Sequence, residues 1–437
     1  MAPKKHPPRI PRLNPVNRRP WIPSKRQDRP HEPVKSMSGD WDAAIIGAGP
    51  AGCASAITLA RAGKRVVMVD KARFPRPKAC GDGLTAGALR LLEGLGLDPA
   101  PISTWMPVED VYIRSPSGRT VEFPLPRSGG QFAAVVPRAE LDNALAEKAK
   151  AEGAELVEGA ACQGLSEDDG RVTLELEGAG TMTAGFAIAA DGMWSPTRKF
   201  LGLAHDGYRG DWHAFRQYWS GVDTPASRAL WVWFEEEILP GYVWSFPLPD
   251  GRANVGFGVR RGGPVAVGDM GKLWRDLLER DHIRAVLGDG AAPETSHRAW
   301  PIPARIDKIS LTGRRTMFTG DAAAATDPMS GEGIAQALLT GIGAASAVLA
   351  GGDDSSRVMA HYRRFVRQEL FADHRMARRL GRVLATRPGA RGAVRIAGLT
   401  PWTRRNFARW LFEDYPRSII TTPRRWFRQP LTAAVRD

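Results

Sequence analysis

Apolar positions fall into a repeating pattern from about residue 42 onward. Residues 43–46 form a short continuous apolar run, and residues 65–70 form another that ends in an acid. Between them, residues 51–62 are small and apolar at helical spacing, so strand, helix and strand follow in order. A second helix is expected over 139–152, stopped by Gly153, and short β segments lead to an apolar strand ending near 190. Residues 206–298 differ in character. Trp and Tyr are frequent there, and 253–259 alternates with Val255, Phe257 and Val259 on one face, as a half-buried antiparallel strand requires. Trp231 to Trp233 reads as an aromatic strand. Residues 316–319 return to a buried strand, 331–351 to a helix, and helical spacing resumes over 356–385.

Charge divides the chain into three parts. The formal net charge is +14, yet the basic excess sits at the two ends, and residues 375–437 carry fifteen arginines against three acids. Residues 1–38 are rich in proline, Lys and Arg without hydrophobic period, and are expected to be a disordered basic arm. Met37 stands just before the first strand, so residues 1–36 read either as an upstream extension or as an arm for an anionic partner. Basic ends favour anionic surfaces. The tail interleaves Trp402, Phe407, Trp410, Leu411, Phe412, Trp426 and Phe427 with arginines, and this predicts docking on an anionic membrane. No nucleic-acid-binding fold is recognisable. Three cysteines without paired spacing fit a reducing compartment. With no secretory signal visible, the expectation is a cytoplasmic protein, peripheral at the inner face of the membrane. The apolar run 335–351 is short and rich in Gly and Ala for a membrane span. The scattered histidines suggest no metal site.

Three segments carry chemistry. Gly47-Ala-Gly49-Pro50-Ala51-Gly52 lies directly after the first strand and opens the first helix. Gly47 permits the tight turn, Gly49 lets backbone approach a pyrophosphate, and Gly52 lets helix pack on strand. Asp70 and Lys71 end the second strand, where an acid accepts a ribose hydroxyl. Ala190-Asp191-Gly192-Met-Trp-Ser195 follows a further strand. The third segment is Gly320-Asp321, then Gly331-Glu332-Gly333-Ile334. There an acid at a strand end can hold a ribityl hydroxyl, and a helix N-terminus near Gly331 suits the N1–C2 carbonyl of a reduced flavin. Together these predict an α/β protein: a Rossmann-like FAD-binding domain with an inserted, mostly antiparallel β-sheet substrate domain and a C-terminal helical segment. The expected division is 39–104, 133–205 and 299–352 for the FAD domain, 105–132 and 206–298 for the substrate sheet, and 353–437 for the helical, Arg-rich region.

The same residues carry a resemblance. The chain resembles the p-hydroxybenzoate-hydroxylase-type flavoproteins and, within them, the geranylgeranyl reductase family, which includes menaquinone-chain reductases. Phe74-Pro-Arg-Pro-Lys78-Ala-Cys80-Gly81-Asp82-Gly83-Leu84 is similar to that family's CGDGL loop, and Pro240-Gly241-Tyr242-Val-Trp244-Ser-Phe246-Pro247 to its PGYxWxFP segment. Val136-Pro-Arg138-Ala-Glu-Leu141-Asp142 resembles the stretch whose arginine contacts FAD. The resemblance implies that Cys80, Gly81, Asp82 and Gly83 lie over the flavin ring, with Cys80, Tyr242 and Trp244 as catalytic candidates. It also implies an apolar prenyl-chain substrate whose double bonds are reduced. With no second Rossmann motif, NAD(P)H docking transiently or an external electron donor would reduce the flavin. A monooxygenase or halogenase acting on an aromatic or polyketide substrate would share the flavin segments. Halogenases, however, carry WxWxIP where this chain has Tyr242-Val-Trp244-Ser-Phe246-Pro247.

Overall fold

The computed structural model describes residues 40–126, 130–404 and 407. The expectation for residues 1–38, and most of that for the tail, lie outside the described residues. The first strand, Asp40–Ile46, pairs in parallel with Val66–Asp70 on one side and Gly180–Ala189 on the other. Glu155–Glu158 and Thr316–Phe318 add further parallel pairings. An antiparallel meander through Val172–Leu176 and Cys162–Glu167 completes the seven-stranded sheet. The central strands are buried on both faces, which is why they read as continuous apolar runs without alternation.

Helix Pro50–Arg61 packs on this sheet beside Ile334–Gly351. A Cβ at Gly341 would lie 2.2 Å from the Ala51 carbonyl oxygen, and one at Gly343 would lie 2.3 Å from the Phe365 ring. Small residues thus let three helices close in on one another. Ile334–Gly351 is long and apolar enough to cross a membrane, but two thirds of it is buried inside the protein, as befits a core helix.

The second sheet has eight strands. Trp212–Ser220, Arg252–Arg260, Tyr242–Leu248 and Leu230–Trp233 form antiparallel neighbours, and Asp110–Arg114 joins Leu230–Trp233 in parallel. Val255, Phe257 and Val259 face a core closed by helices Met270–Leu278 and Asp281–Leu287. Strand Arg298–Ile302 pairs with Trp212–Ser220, so this sheet runs across the boundary expected at 298. The helical region expected from 356 consists of Ser355–Glu369, Phe371–Leu384 and Arg387–Ala397. His374 Nε2 meets the Ala304 carbonyl at 3.0 Å, and Arg378 grips Asp307 through both its terminal nitrogens, so the second of these helices is pinned to the body.

Candidate functional site

A cavity of about 1140 Å3 runs between the two sheets. One end is built almost entirely from backbone. Gly47 has φ +97°, and a Cβ there would lie 2.4 Å from the Ala190 carbonyl oxygen. A Cβ on Gly52 would lie 1.9 Å from the Gly47 oxygen, so Gly52 stays out of the cavity and serves the helix–strand contact. Gly49 precedes helix Pro50–Arg61 without side-chain capping, and Pro50 and Ala51 line the cavity beside it. Unsatisfied amides at such a helix start attract a negatively charged group. Asp70 accepts hydrogen bonds from the amides of Ala48 and Ala72, both at 2.9 Å, and so shapes the loop as well as lining the cavity, with Lys71 at its rim.

Arg76 and Asp142 were not among the residues picked from sequence. Arg76 sits nearest to Gly49 and reaches Asp142 at 3.1 Å, while Arg138 forks onto the same carboxylate at 2.7 and 2.8 Å. Burial works against the charge on Arg138, but Asp142 outweighs it and raises the arginine's pKa. Two guanidiniums converging beside a glycine loop fit a diphosphate. The cue was the i,i+4 spacing of Arg138 and Asp142 at the start of a helix.

Farther in, Asp191 and Gly192 line the wall. Asp191 Oδ2 accepts the Thr197 amide at 3.1 Å, its buried Oδ1 finds no partner among the described residues, and burial raises its pKa. Ser195 departs from expectation: it does not line the cavity, and its hydroxyl caps helix Pro196–Phe200 by accepting the Arg198 amide. A serine ahead of proline at a helix start is used for capping because the first-turn amides need an acceptor. Gly320, Asp321, Gly331, Glu332, Gly333 and Ile334 all line the cavity. The helix begins at Ile334, later than Gly331, because Asp327 folds the preceding loop by accepting the amides of Met329 and Ser330. Glu332 then caps the helix through the Ala335 amide at 2.7 Å.

The loop Cys80–Gly83 crosses the cavity between these groups and the second sheet. Gly81 and Gly83 lie under the Phe246 ring, with ideal Cβ positions 3.3 and 3.1 Å from it. Burial pushes the Cys80 thiol pKa up, so it keeps its proton at neutral pH. Asp82 is fully buried at φ +64°. Its carboxylate accepts the Tyr218 hydroxyl at 2.6 Å, the Asn254 amide group at 2.8 Å and the Arg138 backbone N–H at 3.2 Å. Burial raises the Asp82 pKa, and Arg216 with these donors opposes the shift. Asn254 also donates to the Cys80 carbonyl at 2.8 Å and accepts the Trp244 indole N–H at 3.2 Å. Asn254 and Tyr218 therefore join the loop to the aromatic wall. The signal for Asn254 in the sequence was a single polar residue within the otherwise apolar run 253–259.

Tyr242, Trp244 and Phe246 share that face, with successive ring centroids 6.0 Å apart. The Tyr242 hydroxyl donates to the Ser330 carbonyl, and the Trp244 N–H is held by Asn254, so neither polar hydrogen is aimed at the cavity's contents. Leu230, Val232, Phe234 and Ile113 extend the apolar wall. Leu380, Val383, Leu384 and Val394 close it from the C-terminal helices, a contribution that sequence reading had not anticipated.

Comparison with known proteins agrees with this architecture. The FAD binding domain family matches residues 40–339. Menaquinone reductase of Mycolicibacterium smegmatis is 34% identical over 340 residues, which cover 71% of this chain and 77% of that protein. Digeranylgeranylglycerophospholipid reductase 2 of Methanopyrus kandleri is 32% identical over 311 residues, covering 69% and 75%. Among solved structures, a geranylgeranyl bacteriochlorophyll reductase-like protein from Thermoplasma acidophilum matches with TM-score 0.71 at 22% identity, over 87% of this chain and 98% of that one. The halogenase PltM, a variant in complex with FAD, matches with TM-score 0.66 at 18% identity, over 82% and 79%. The last two likenesses concern the fold. The glycine loops, the uncapped helix start and the paired arginines have the chemistry an FAD needs, and the chain belongs to the geranylgeranyl reductase family of FAD-dependent oxidoreductases.

Proposed function

We propose that this flavoprotein reduces carbon–carbon double bonds in a polyprenyl chain. The observation that carries the reading is the continuity of the cavity: a dinucleotide-shaped backbone end opens directly onto a wall of Tyr242, Trp244, Phe246, Leu230, Val232 and Phe234. An apolar wall of this extent suits a long hydrocarbon and excludes water.

Gly47, Gly49, Pro50, Ala51 and the helix start hold the diphosphate with Arg76 and Arg138, while Asp70 and Lys71 serve the adenosine side. Asp191, Gly192, Asp321 and the Gly331–Ile334 segment serve the ribityl chain and ring, and Ser195 supports Asp191 from behind. Bound and reduced, the flavin supplies hydride. Cys80, which lines the cavity and retains its proton, would shield or protonate the second alkene carbon. Tyr242 and Trp244 orient the chain. Each turnover then adds two hydrogens.

The chain is drawn from an anionic membrane, at the inner face of the cell membrane, through the C-terminal helices. Val383, Ile396, Leu399 and Trp402 are exposed beside the cavity wall, and Arg382, Arg391 and Arg395 lie among them. The electron donor is NAD(P)H or an external reductant.

The test is anaerobic. Dithionite-reduced enzyme is mixed with geranylgeranyl lipids and menaquinones while flavin absorbance is followed. Reoxidation with product mass rising by two hydrogens supports the proposal. Oxygen-dependent gain of a hydroxyl, or halide incorporation, moves the protein to the oxygenase or halogenase class.

A further inference from the structure

The cavity-facing side of the second sheet changes character from one edge to the other. Strands Leu230–Trp233 and Tyr242–Leu248 present only apolar and aromatic groups. Two strands away, Trp212–Ser220 presents Trp212, Ala214 and Arg216, and its neighbour Arg298–Ile302 presents Arg298, Trp300 and Ile302. Lys78 joins them from the loop, its ammonium 3.7 Å from the centre of the Trp300 ring.

Three features of this edge are costly in the protein alone. Arg216 and Arg298 are directly opposite each other in the strand register, a placement that like charges disfavour. Arg216 is buried, and its Nε finds no hydrogen-bond partner among the described residues. Its other contacts are the Lys78 carbonyl at 3.3 Å and the Tyr218 ring at 3.9 Å. Among the described residues, Lys78, Arg216 and Arg298 form no side-chain ion pair, although Asp82 lies close enough to Arg216, and Asp321 to Lys78, to interact through charge. Elsewhere in the body Arg138, Arg252, Arg280, Arg305 and Arg378 each hold a carboxylate, and the buried Arg198 and Arg315 donate through Nε and the terminal nitrogens to backbone carbonyls, whereas Arg216 leaves its Nε unpaired. A buried guanidinium with an orphaned Nε, balanced at longer range by Asp82 alone and standing beside two further cations, gains from an anion that completes the set.

We propose that Lys78, Arg216 and Arg298, with the Trp300 ring beside them, form a subsite for the phosphate oxygens of a ligand that shares the cavity with the flavin. Phosphate suits the set because guanidinium forks match its oxygens and a lysine adds a point charge. Two ligands bring such a group: a prenyl lipid with a phosphate head, whose chain would run across the sheet to Trp244, and a nicotinamide dinucleotide delivering electrons. The first source rests on the prenyl-chain reading above. The second does not.

The test uses FAD-loaded protein and measures binding without turnover. Geranylgeranyl diphosphate, geranylgeraniol and NADPH are titrated against wild type, Lys78→Met, Arg216→Met and Arg298→Ala. Arg298 is exposed, so its variant keeps the fold intact. Wild type is expected to hold the diphosphate more tightly than the alcohol, and each substitution to weaken the diphosphate by about tenfold while sparing the alcohol. That result assigns the subsite to a lipid head. Should the variants instead need about tenfold more NADPH for half-maximal flavin reduction, the phosphate is the donor's. Equal loss for diphosphate and alcohol, no change with any ligand, or loss of FAD from the variants overturns the subsite. Because the alcohol reports on chain binding alone, failure of the prenyl reading and failure of the subsite give different patterns.

Discussion

The two ends of the cavity are made of different material. At the dinucleotide end the working surface is largely backbone: glycines at 47 and 49, an uncapped helix start whose close packing Gly52 permits, and loops tied by Asp70 and Asp327. At the sheet end it is side chains on a regular scaffold, where Gly256 leaves space for the Trp244 ring 2.3 Å from its would-be Cβ. A surface of backbone tolerates little substitution, because an atom added at Gly47 or Gly52 meets main chain and one added at Gly49 takes up space in front of the helix start. A surface of side chains can be retuned one position at a time. Such a division lets one cofactor site serve many substrates.

That contrast is breakable by substitution, and the largest effect belongs at the backbone end. Gly52→Val drives methyl groups into the Gly47 carbonyl, and a loss of about 4 kcal/mol or more is expected, read as insoluble or unfolded protein. Gly49→Val is the informative partner. Its Cβ would meet nothing closer than the Arg76 guanidinium at 3.6 Å, so the protein should fold with native circular dichroism yet lack yellow colour and bind no added FAD. Colour retained in Gly49→Val would remove the diphosphate from this loop.

Next in size is the seam between the two ends. Asn254→Leu strips a donor from both the Cys80 carbonyl and the Asp82 carboxylate, at a cost of about 2–4 kcal/mol in urea unfolding of the holoprotein. Tyr218→Phe removes one hydrogen bond and should cost less. Equal and negligible losses would show that the loop holds its place without the sheet.

Smaller still is the effect at the aromatic wall. Trp244→Leu should leave FAD content unchanged and raise the chain's KM by about tenfold, since part of the apolar contact area is lost. The smallest effect is a pH dependence. Burial lowers the Lys78 pKa to about 8. Its positive charge is therefore present below that pH and is lost as pH rises through it. Affinity for a phosphate-bearing ligand should fall between about pH 7 and pH 9, severalfold, and the fall should vanish in Lys78→Met. An unchanged slope in that variant would place the titrating group elsewhere.

The sequence by itself determined the order of the elements and the dinucleotide end. Buried parallel strands must be continuous apolar runs, and a phosphate-binding turn must be glycine, so both leave marks that are local in the chain. The aromatic row at Tyr242, Trp244 and Phe246 was legible for the same reason, because alternation puts every second residue on one face. Tertiary structure alone decided the rest. Arg76 meets Asp142 across a helix and a loop, and Asn254 reaches Cys80 from 174 positions away. Arg216 faces Arg298 only once their strands have paired. The C-terminal helices become cavity wall because His374 and Arg378 pin one of them to the body and Val394 and Ala397 of the next pack into the core of the second sheet. These are contacts between residues distant in sequence, whose identity depends on register and docking, and no spacing along a single chain encodes them. Ser195 shows the converse: its motif was legible, but its hydroxyl was taken up by the nearest unsatisfied amide, and only the folded chain could show which group that was.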